Sequence, residues 1–149
     1  MIAVQIRELT AHDLAAWREL FRAYGVFYET QFSEDVLDRV GGILLTPGSG
    51  VDAIVAEDDG TLVGFAHYRR HPDTFTGGSD WYLDDLYVDP ATRGTGTGTA
   101  LIEALAALAR ESSEGGKLRW ITAADNERAQ RVYDRIATRT TWVTYEKGI

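Results

Sequence analysis

Residues 89–108 read DPATRGTGTGTALIEALAAL. A proline and an arginine are followed by Gly94, Gly96 and Gly98, one at every second position. Directly after them Leu101, Ile102 and Leu105 recur at helical spacing. Glycine reaches positive φ without steric cost and lets a ligand approach the main chain. Successive N–H groups can then face one concavity, a nest for anions. The unpaired amides and the positive dipole end of the following helix add to it, and Arg93 brings a full charge to the rim. Residues 94–99 so arranged suit a phosphate or a pyrophosphate. A P-loop is excluded, because Thr99 and Ala100 stand where lysine and Ser/Thr are required. A dinucleotide fingerprint asks for G-x-G-x-x-G in the first strand–helix turn, whereas this G-x-G-x-G comes late in the chain. Taken alone, the run is a weak signal that also reads as a plain tight turn.

Working outward, WYLDDLYV (81–88) precedes the glycines as a strand and LRWITA (118–123) follows their helix as another. A strand–helix–strand crossover makes these two parallel neighbours. Upstream, VDAIVAED and TLVGFAHYRR flank Asp59-Gly60, a pair that favours a tight primed hairpin turn. HPDTFTGGSD (71–80) and ESSEGGK (111–117) read as loops. VQIREL (4–9) alternates as a strand. Thr10 then offers a cap to a helix over 11–29, with Leu14, Trp17, Leu20, Phe21 and Tyr24 on one stripe, and Ser33 caps a second helix over 33–45. NERAQRVYDRI (126–136) predicts a helix and TTWVTYEK (140–147) a last strand. The expectation is an α/β fold. Its mixed, mostly antiparallel central sheet has helices on both faces and one parallel strand pair.

The chain of 149 residues is the length of one domain, taken here as 1–149. With 44% hydrophobic and 26% charged residues it has the composition of a soluble globular protein. No apolar run is long enough to span a bilayer and no signal peptide is read, so no membrane association and a cytoplasmic location are expected. The absence of cysteine excludes disulfides, thiolate metal sites and cysteine nucleophiles. No carboxylate cluster accompanies His67 or His71, so no metal site is read. A net charge of −8 repels a phosphate backbone, which argues against nucleic acid as a partner. The same charge either suits a cationic small substrate or only keeps the protein soluble.

The wider context of the glycine run is more specific. YLDDLYVDPATRGTGTGTALIEAL resembles the central motif of the GCN5-related N-acetyltransferases, R/Q-x-x-G-x-G/A after a strand, here Arg93 to Gly98. TAADNERAQRVYDR matches that family's second signature, N-x-x-A-x-x-x-Y, at Asn126, Ala129 and Tyr133. The resemblance extends to the element order. It is closest to the diamine/polyamine and histone/polyamine acetyltransferase branch. It implies acetyl-CoA as co-substrate, no metal, a primary-amine acceptor of small cationic type such as a di- or polyamine, direct attack in a ternary complex, and a homodimer. The alternatives are a protein lysine or N-terminal acetyltransferase, or a non-catalytic acyl-CoA-binding regulatory domain.

The same resemblance implies residue roles. The pantetheine arm lies where the two parallel strands splay, against Leu86, Tyr87 and Val88. The Leu86 amide is the oxyanion donor. Arg93, Gly94, Thr95, Gly96, Thr97, Gly98 and Thr99 hold the pyrophosphate, and Asn126 and Ala129 line the other side. Tyr133 is the general acid, although its place on the stripe Ala129, Val132, Tyr133, Ile136 also fits a core residue. Asp84 stands where the branch has a glutamate, as base through water or as an orienting anion. Asp85 beside it, with Tyr24, Tyr28 and Glu29 at the end of the first helix, is a substrate-binding candidate. Regular pleating puts Asp84 and Asp85 on opposite faces. One departure stands out: Ile136-Ala137-Thr138 replaces the usual glycine–aromatic turn into the last strand.

Overall fold

The computed structural model describes residues 4–92, 94–112 and 116–149. Strands β1 (Val4–Glu8), β2 (Asp52–Asp58), β3 (Thr61–Pro72), β4 (Ser79–Val88) and β5 (Leu118–Arg119) form one sheet in that order. All neighbours are antiparallel except β4 and β5, the parallel pair. Helices α1 (Leu14–Phe27) and α2 (Glu34–Leu45) cover one face, and α3 (Thr97–Ser112) the other, with α4 (Glu127–Ile136) joining it. The expected mixed fold is the observed one. The β2–β3 hairpin turns on Asp59 and Gly60, both at positive φ (49° and 82°), as a primed turn requires.

Each face has its own core. Trp17, Phe21, Leu37 and Leu44 pack on Val55 and Phe65. Leu101, Ile102 and Leu105 of α3 pack on Ile54, Ala66 and Leu83. Leu101 and Leu105 are fully buried, each worth about 2 kcal/mol of transfer free energy. These positions are the helical stripes legible in the sequence.

A β-bulge decides what faces the site. His67 pairs with Asp85 but Tyr68 pairs with Leu83, leaving Asp84 as the extra residue. The bulge flips the alternation. Leu83 and Leu86, three apart, both reach the α3-side core, and Tyr87 packs on the opposite core.

Several boundaries depart from the sequence reading. The first helix does not begin at residue 11. Residues Ala11–Asp13 form a 3-10 turn, and α1 closes at Phe27 because Glu29 takes φ +57°. The hairpin arms of β3 and β4 extend into the expected loop 71–80, where Asp80 accepts from the Lys117 amide at 2.9 Å and from Arg119 at 2.8 Å. Strand β5 pairs over two residues rather than six, since β4 turns away beyond Tyr82. The expected strand 140–147 is absent from the sheet: its residues are exposed and make no described backbone hydrogen bond. Of the loop 111–117, residues 113–115 lie outside the described residues, and 111–112 complete α3.

Buried Asp13 ties β1 to α1. It accepts both Arg7 guanidinium nitrogens (2.8 and 2.9 Å), the Thr10 amide (2.8 Å) and the Thr10 hydroxyl (3.0 Å). The Arg7 hydrogen bonds hold its carboxyl down to about 2 against the opposing effect of burial. A depressed carboxyl stabilises the fold above its ordinary pKa, and this contribution is lost as pH falls from about 4 towards 2. Asp13→Ala removes the acceptor that joins half-buried Arg7 to the Thr10 amide and hydroxyl and is expected to cost about 1–2 kcal/mol in chemical denaturation. The cost shrinks in acid, where the wild-type carboxyl is itself protonated.

Candidate active site

The site follows from the short pairing of β5. With β4 paired to it only at Trp81 and Tyr82, the edge of β4 from Leu83 to Val88 faces a cleft instead of a strand. The cleft, about 660 Å³, is walled on one side by Leu86, Tyr87 and Val88 and on the other by Trp120, Ile121 and Thr122. One end is closed by the glycine loop and the start of α3, the other by Tyr24, Phe27 and Tyr28 of the first helix and its cap. Residues Asn126, Ala129, Val132 and Tyr133 of the α4 segment form the floor.

Gly94 and Gly96 sit at φ +85° and +83°, and no atom stands within 4 Å of where a Cβ would be. Backbone conformation is therefore what these two positions demand. Gly98 differs: it lies in the first turn of α3, and a Cβ there would meet Val88 at an ordinary 3.7 Å. Thr95 does not line the cleft. Its hydroxyl donates to the Thr92 carbonyl at 2.6 Å and meets the Thr97 hydroxyl at 2.9 Å, which fastens the loop. Arg93 lies outside the described residues. Thr97, Gly98 and Thr99 place the free amides of the α3 N-terminus at the cleft wall. An alanine at Gly96 would pay roughly 1–2 kcal/mol for the left-handed conformation. Because the loop is exposed and a Cβ there meets nothing, Gly96→Ala is expected to distort the loop with little loss of melting temperature.

On α4, Asn126 caps the helix by accepting from the Ala129 amide at 3.2 Å. This fixes the turn that puts Tyr133 in the cleft, edge-on to Trp120 with ring centroids 5.4 Å apart. Burial pushes the Tyr133 phenol above its usual value, and the neighbouring Tyr28 adds to the shift. Its hydroxyl therefore keeps its proton in neutral solution and remains a donor.

The two aspartates have separate environments. Asp84, the bulge residue, lines the cleft and takes the Arg69 Nε at 2.9 and 3.0 Å. Asp85 is not in the cleft wall. It accepts from the Tyr24 hydroxyl at 2.8 Å and from the His67 Nδ1 at 2.9 Å. The His67 proton position follows from its other side. Trp17 Nε1–H donates to His67 Nε2 at 3.0 Å, so Nε2 carries no proton and Nδ1 must. Burial works against the Asp85 charge, but the hydrogen bonds from His67 and Tyr24 outweigh it and hold the carboxyl below its usual range. Burial, then Asp85, keep the Tyr24 phenol protonated. Trp17, His67, Asp85 and Tyr24 thus form one ordered chain from the core to the cleft mouth. Glu29 is exposed and outside the cleft lining.

Sequence reading missed the far wall, Trp120 to Thr122, because it assigned those residues to a strand. It also missed the pairing of Trp17 with His67, fifty residues apart, which no local pattern signals. Arg128 and Arg135 also line the cleft; their spacing on one helix was visible, but not the face it turns inward. Among the described residues no cluster of three or more potential metal ligands occurs, and no helix is long and apolar enough to cross a membrane.

Residues 14–137 match the Acetyltransferase (GNAT) family, and the chain belongs to it; it is an acyltransferase. It is 29% identical over 97% of its length to a D-amino-acid N-acetyltransferase of Saccharomyces cerevisiae, covering 91% of that protein. It is 31% identical to an aminoglycoside N(6')-acetyltransferase type 1 of Stenotrophomonas maltophilia, over 74% of this chain and 70% of that one. Among solved structures, a ribosomal-protein-alanine N-acetyltransferase from Brucella melitensis biovar Abortus 2308 superposes with a TM-score of 0.79 at 28% identity. That alignment covers 99% of this chain and all of the other.

Proposed function

We propose that residues 1–149 form one acetyltransferase domain that moves an acetyl group from acetyl-CoA to the primary amine of a small cationic molecule. The observation that carries this reading is the open β4 edge, Leu83 to Val88, running from an anion-binding loop to an aromatic mouth. The fit to acetyl-CoA rests on that edge. An extended pantetheine arm lies along the cleft-lining residues of β4, Leu86 and Val88, and its pyrophosphate meets the loop shaped by Gly94 and Gly96. Bound acetyl-CoA supplies an acetyl thioester.

The chain's own residues do the rest. The Leu86 N–H donates to the thioester oxygen as negative charge builds on it, a contribution of about 3–4 kcal/mol for donors of this kind. The acceptor enters as free amine, its positive neighbour groups held by Asp84 and by the faces of Tyr24 and Tyr28. Asp84, held by Arg69, orients the acceptor. Tyr133 gives its phenol proton to the departing sulfur as the C–S bond breaks, and the proton that the attacking nitrogen sheds as the amide forms passes through water and restores the phenol. Tyr87, Val88, Asn126 and Ala129 hold the cofactor arm, with Arg93, Thr97 and Thr99 at the phosphates. The enzyme works as a homodimer in the cytoplasm, where a chain without cysteine risks nothing from the reducing pool.

Di- and polyamines fit the Asp84 carboxylate in the cleft, the aromatic faces of Tyr24 and Tyr28, and the overall charge of −8. A D-amino acid is the second reading, favoured by the yeast relative and by Arg128 and Arg135 in the cleft, which could take its carboxylate. Thiol release from acetyl-CoA is measured across polyamines, D-amino acids, aminoglycosides and a lysine peptide. Turnover greatest with polyamines supports the reading. Preference for D-amino acids moves the acceptor to the second one, and turnover of the peptide alone overturns the small-amine assignment.

A further inference from the structure

Trp17 and Tyr24 stand two helical turns apart on α1 and share the face that packs on the sheet. Opposite them His67 of β3 pairs directly with Asp85 of β4, a register set by the bulge at Asp84. Four polar side chains from three elements therefore meet beneath α1. His67 is 2% exposed. Its ring stacks on Phe65 with centroids 4.5 Å apart and meets Phe21 edge-on at 5.1 Å, so packed aromatic neighbours fix its plane. The mechanism proposed above uses neither His67 nor Asp85.

Each hydrogen bond in this group has one direction. An indole N–H only donates, so His67 Nε2 accepts from Trp17 at 3.0 Å and Nδ1 carries the ring proton. Nδ1–H donates to Asp85 Oδ2 at 2.9 Å. An ionised carboxylate only accepts, so Asp85 Oδ1 takes the Tyr24 O–H at 2.8 Å. Tyr24 also lines the cleft. With its single proton committed inward, its oxygen presents the cleft with lone pairs alone. Tyr28 lines the cleft beside it, edge-on at 5.0 Å between centroids. A hydrogen bond between these two hydroxyls has to be donated by Tyr28.

We propose that His67 and Asp85 are positioning residues for the acceptor: they draw the Tyr24 proton inward, so that the Tyr24 oxygen accepts an N–H of the incoming amine. The inference rests on the amine-acetylation reading above and deepens it. A free primary amine has two N–H groups and one lone pair. One N–H held by Tyr24 fixes an axis of the nitrogen and leaves the lone pair for the thioester carbon, an orientation set before the reaction begins. The chain offers the amine no exit for a proton, because its inner end is the Trp17 indole N–H. It orients the nitrogen, and the proton that the nitrogen sheds leaves through water.

Asp85→Asn tests the direction of the bond without removing a side chain. His67 Nδ1–H keeps the new carbonyl, the new amide donates to the Tyr24 oxygen, and the Tyr24 proton turns to the cleft. Tyr24→Phe removes the oxygen and keeps the ring. Thiol release with the most active amine of the panel is measured for wild type, both single variants and the double variant, with acetyl-CoA binding by calorimetry. Tyr24→Phe is expected to lower kcat/KM for the amine about tenfold, and Asp85→Asn about 50-fold, since a donor then opposes the amine N–H. The double variant returns to the level of Tyr24→Phe, and acetyl-CoA dissociation constants stay within about twofold throughout. A merely structural role gives losses that add. Additive losses, or an Asp85→Asn enzyme as active as wild type, overturn the inference and leave amine acetylation standing. Nitrogen-15 NMR of wild-type His67 needs no variant to fold: a proton on Nδ1 and none on Nε2 is expected, and the reverse overturns the inference. A wild type that turns over no amine overturns the proposed function, and the inference with it.

Discussion

Tyr133→Phe lowers kcat about 10²- to 10³-fold while the dissociation constant for acetyl-CoA stays within about twofold of wild type. The ring remains, edge-on to Trp120 at 5.4 Å, so the cleft keeps its shape. What is lost is the proton. A thiolate leaving without one is a worse product, and the barrier rises in that step alone. Desolvation keeps the wild-type phenol protonated above its usual value, so activity does not fall on the alkaline side until Tyr133 ionises. Stopped-flow or steady-state thiol release, with CoA binding by calorimetry, separates the two effects. A variant that loses binding and turnover together would assign Tyr133 to the floor of the cleft and not to proton transfer.

Asp85→Ala unfolds the protein at a lower temperature by roughly 10 °C, the second large effect. Two donors, Tyr24 O–H and His67 Nδ1–H, then lose their acceptor. His67 cannot move its proton to Nε2, because Trp17 donates there. Unsatisfied buried donors cost about 1–3 kcal/mol each, or about 3 kcal/mol together, and a domain of this size shifts about 2–4 °C per kcal/mol. Asp85→Asn is milder: its carbonyl accepts from His67 and its amide donates to the Tyr24 oxygen. The pH dependence has a defined sign. The Asp85 carboxyl is held below its usual 3.8 in the fold, so its contribution is full above that value and is lost as pH falls below it. Melting curves of wild type and Asp85→Asn therefore converge in acid. Parallel curves down to pH 2 would remove Asp85 from the accounting.

The core, the hairpin turn and the glycine loop were legible because each is local. Stripes such as Leu101, Ile102, Leu105 need only a helix, and Asp59-Gly60 needs only a turn. Gly94 and Gly96 announced a backbone conformation, and they have it. What the sequence concealed depends on partners distant in the chain. The bulge at Asp84 is a register event between β3 and β4, and simple alternation cannot foresee it. It nonetheless decides that Asp84 lines the cleft while Asp85 joins Tyr24 and His67. The strand expected at 118–123 shrinks to two residues because its neighbour diverges, and that divergence makes the cleft. The last strand is a different case. Its alternating pattern is strand-like, but a strand needs a partner edge, and Ile136-Ala137-Thr138 does not turn the segment back onto its own.

On the proposed reading, the glycine loop and the β4 edge hold acetyl-CoA for transfer to an amine. Titration calorimetry of the purified protein with acetyl-CoA, run beside Gly96→Ala, tests it most directly. One acetyl-CoA bound per chain at micromolar affinity, weakened about tenfold by Gly96→Ala, is the predicted result. No binding, or binding indifferent to Gly96, would contradict the account.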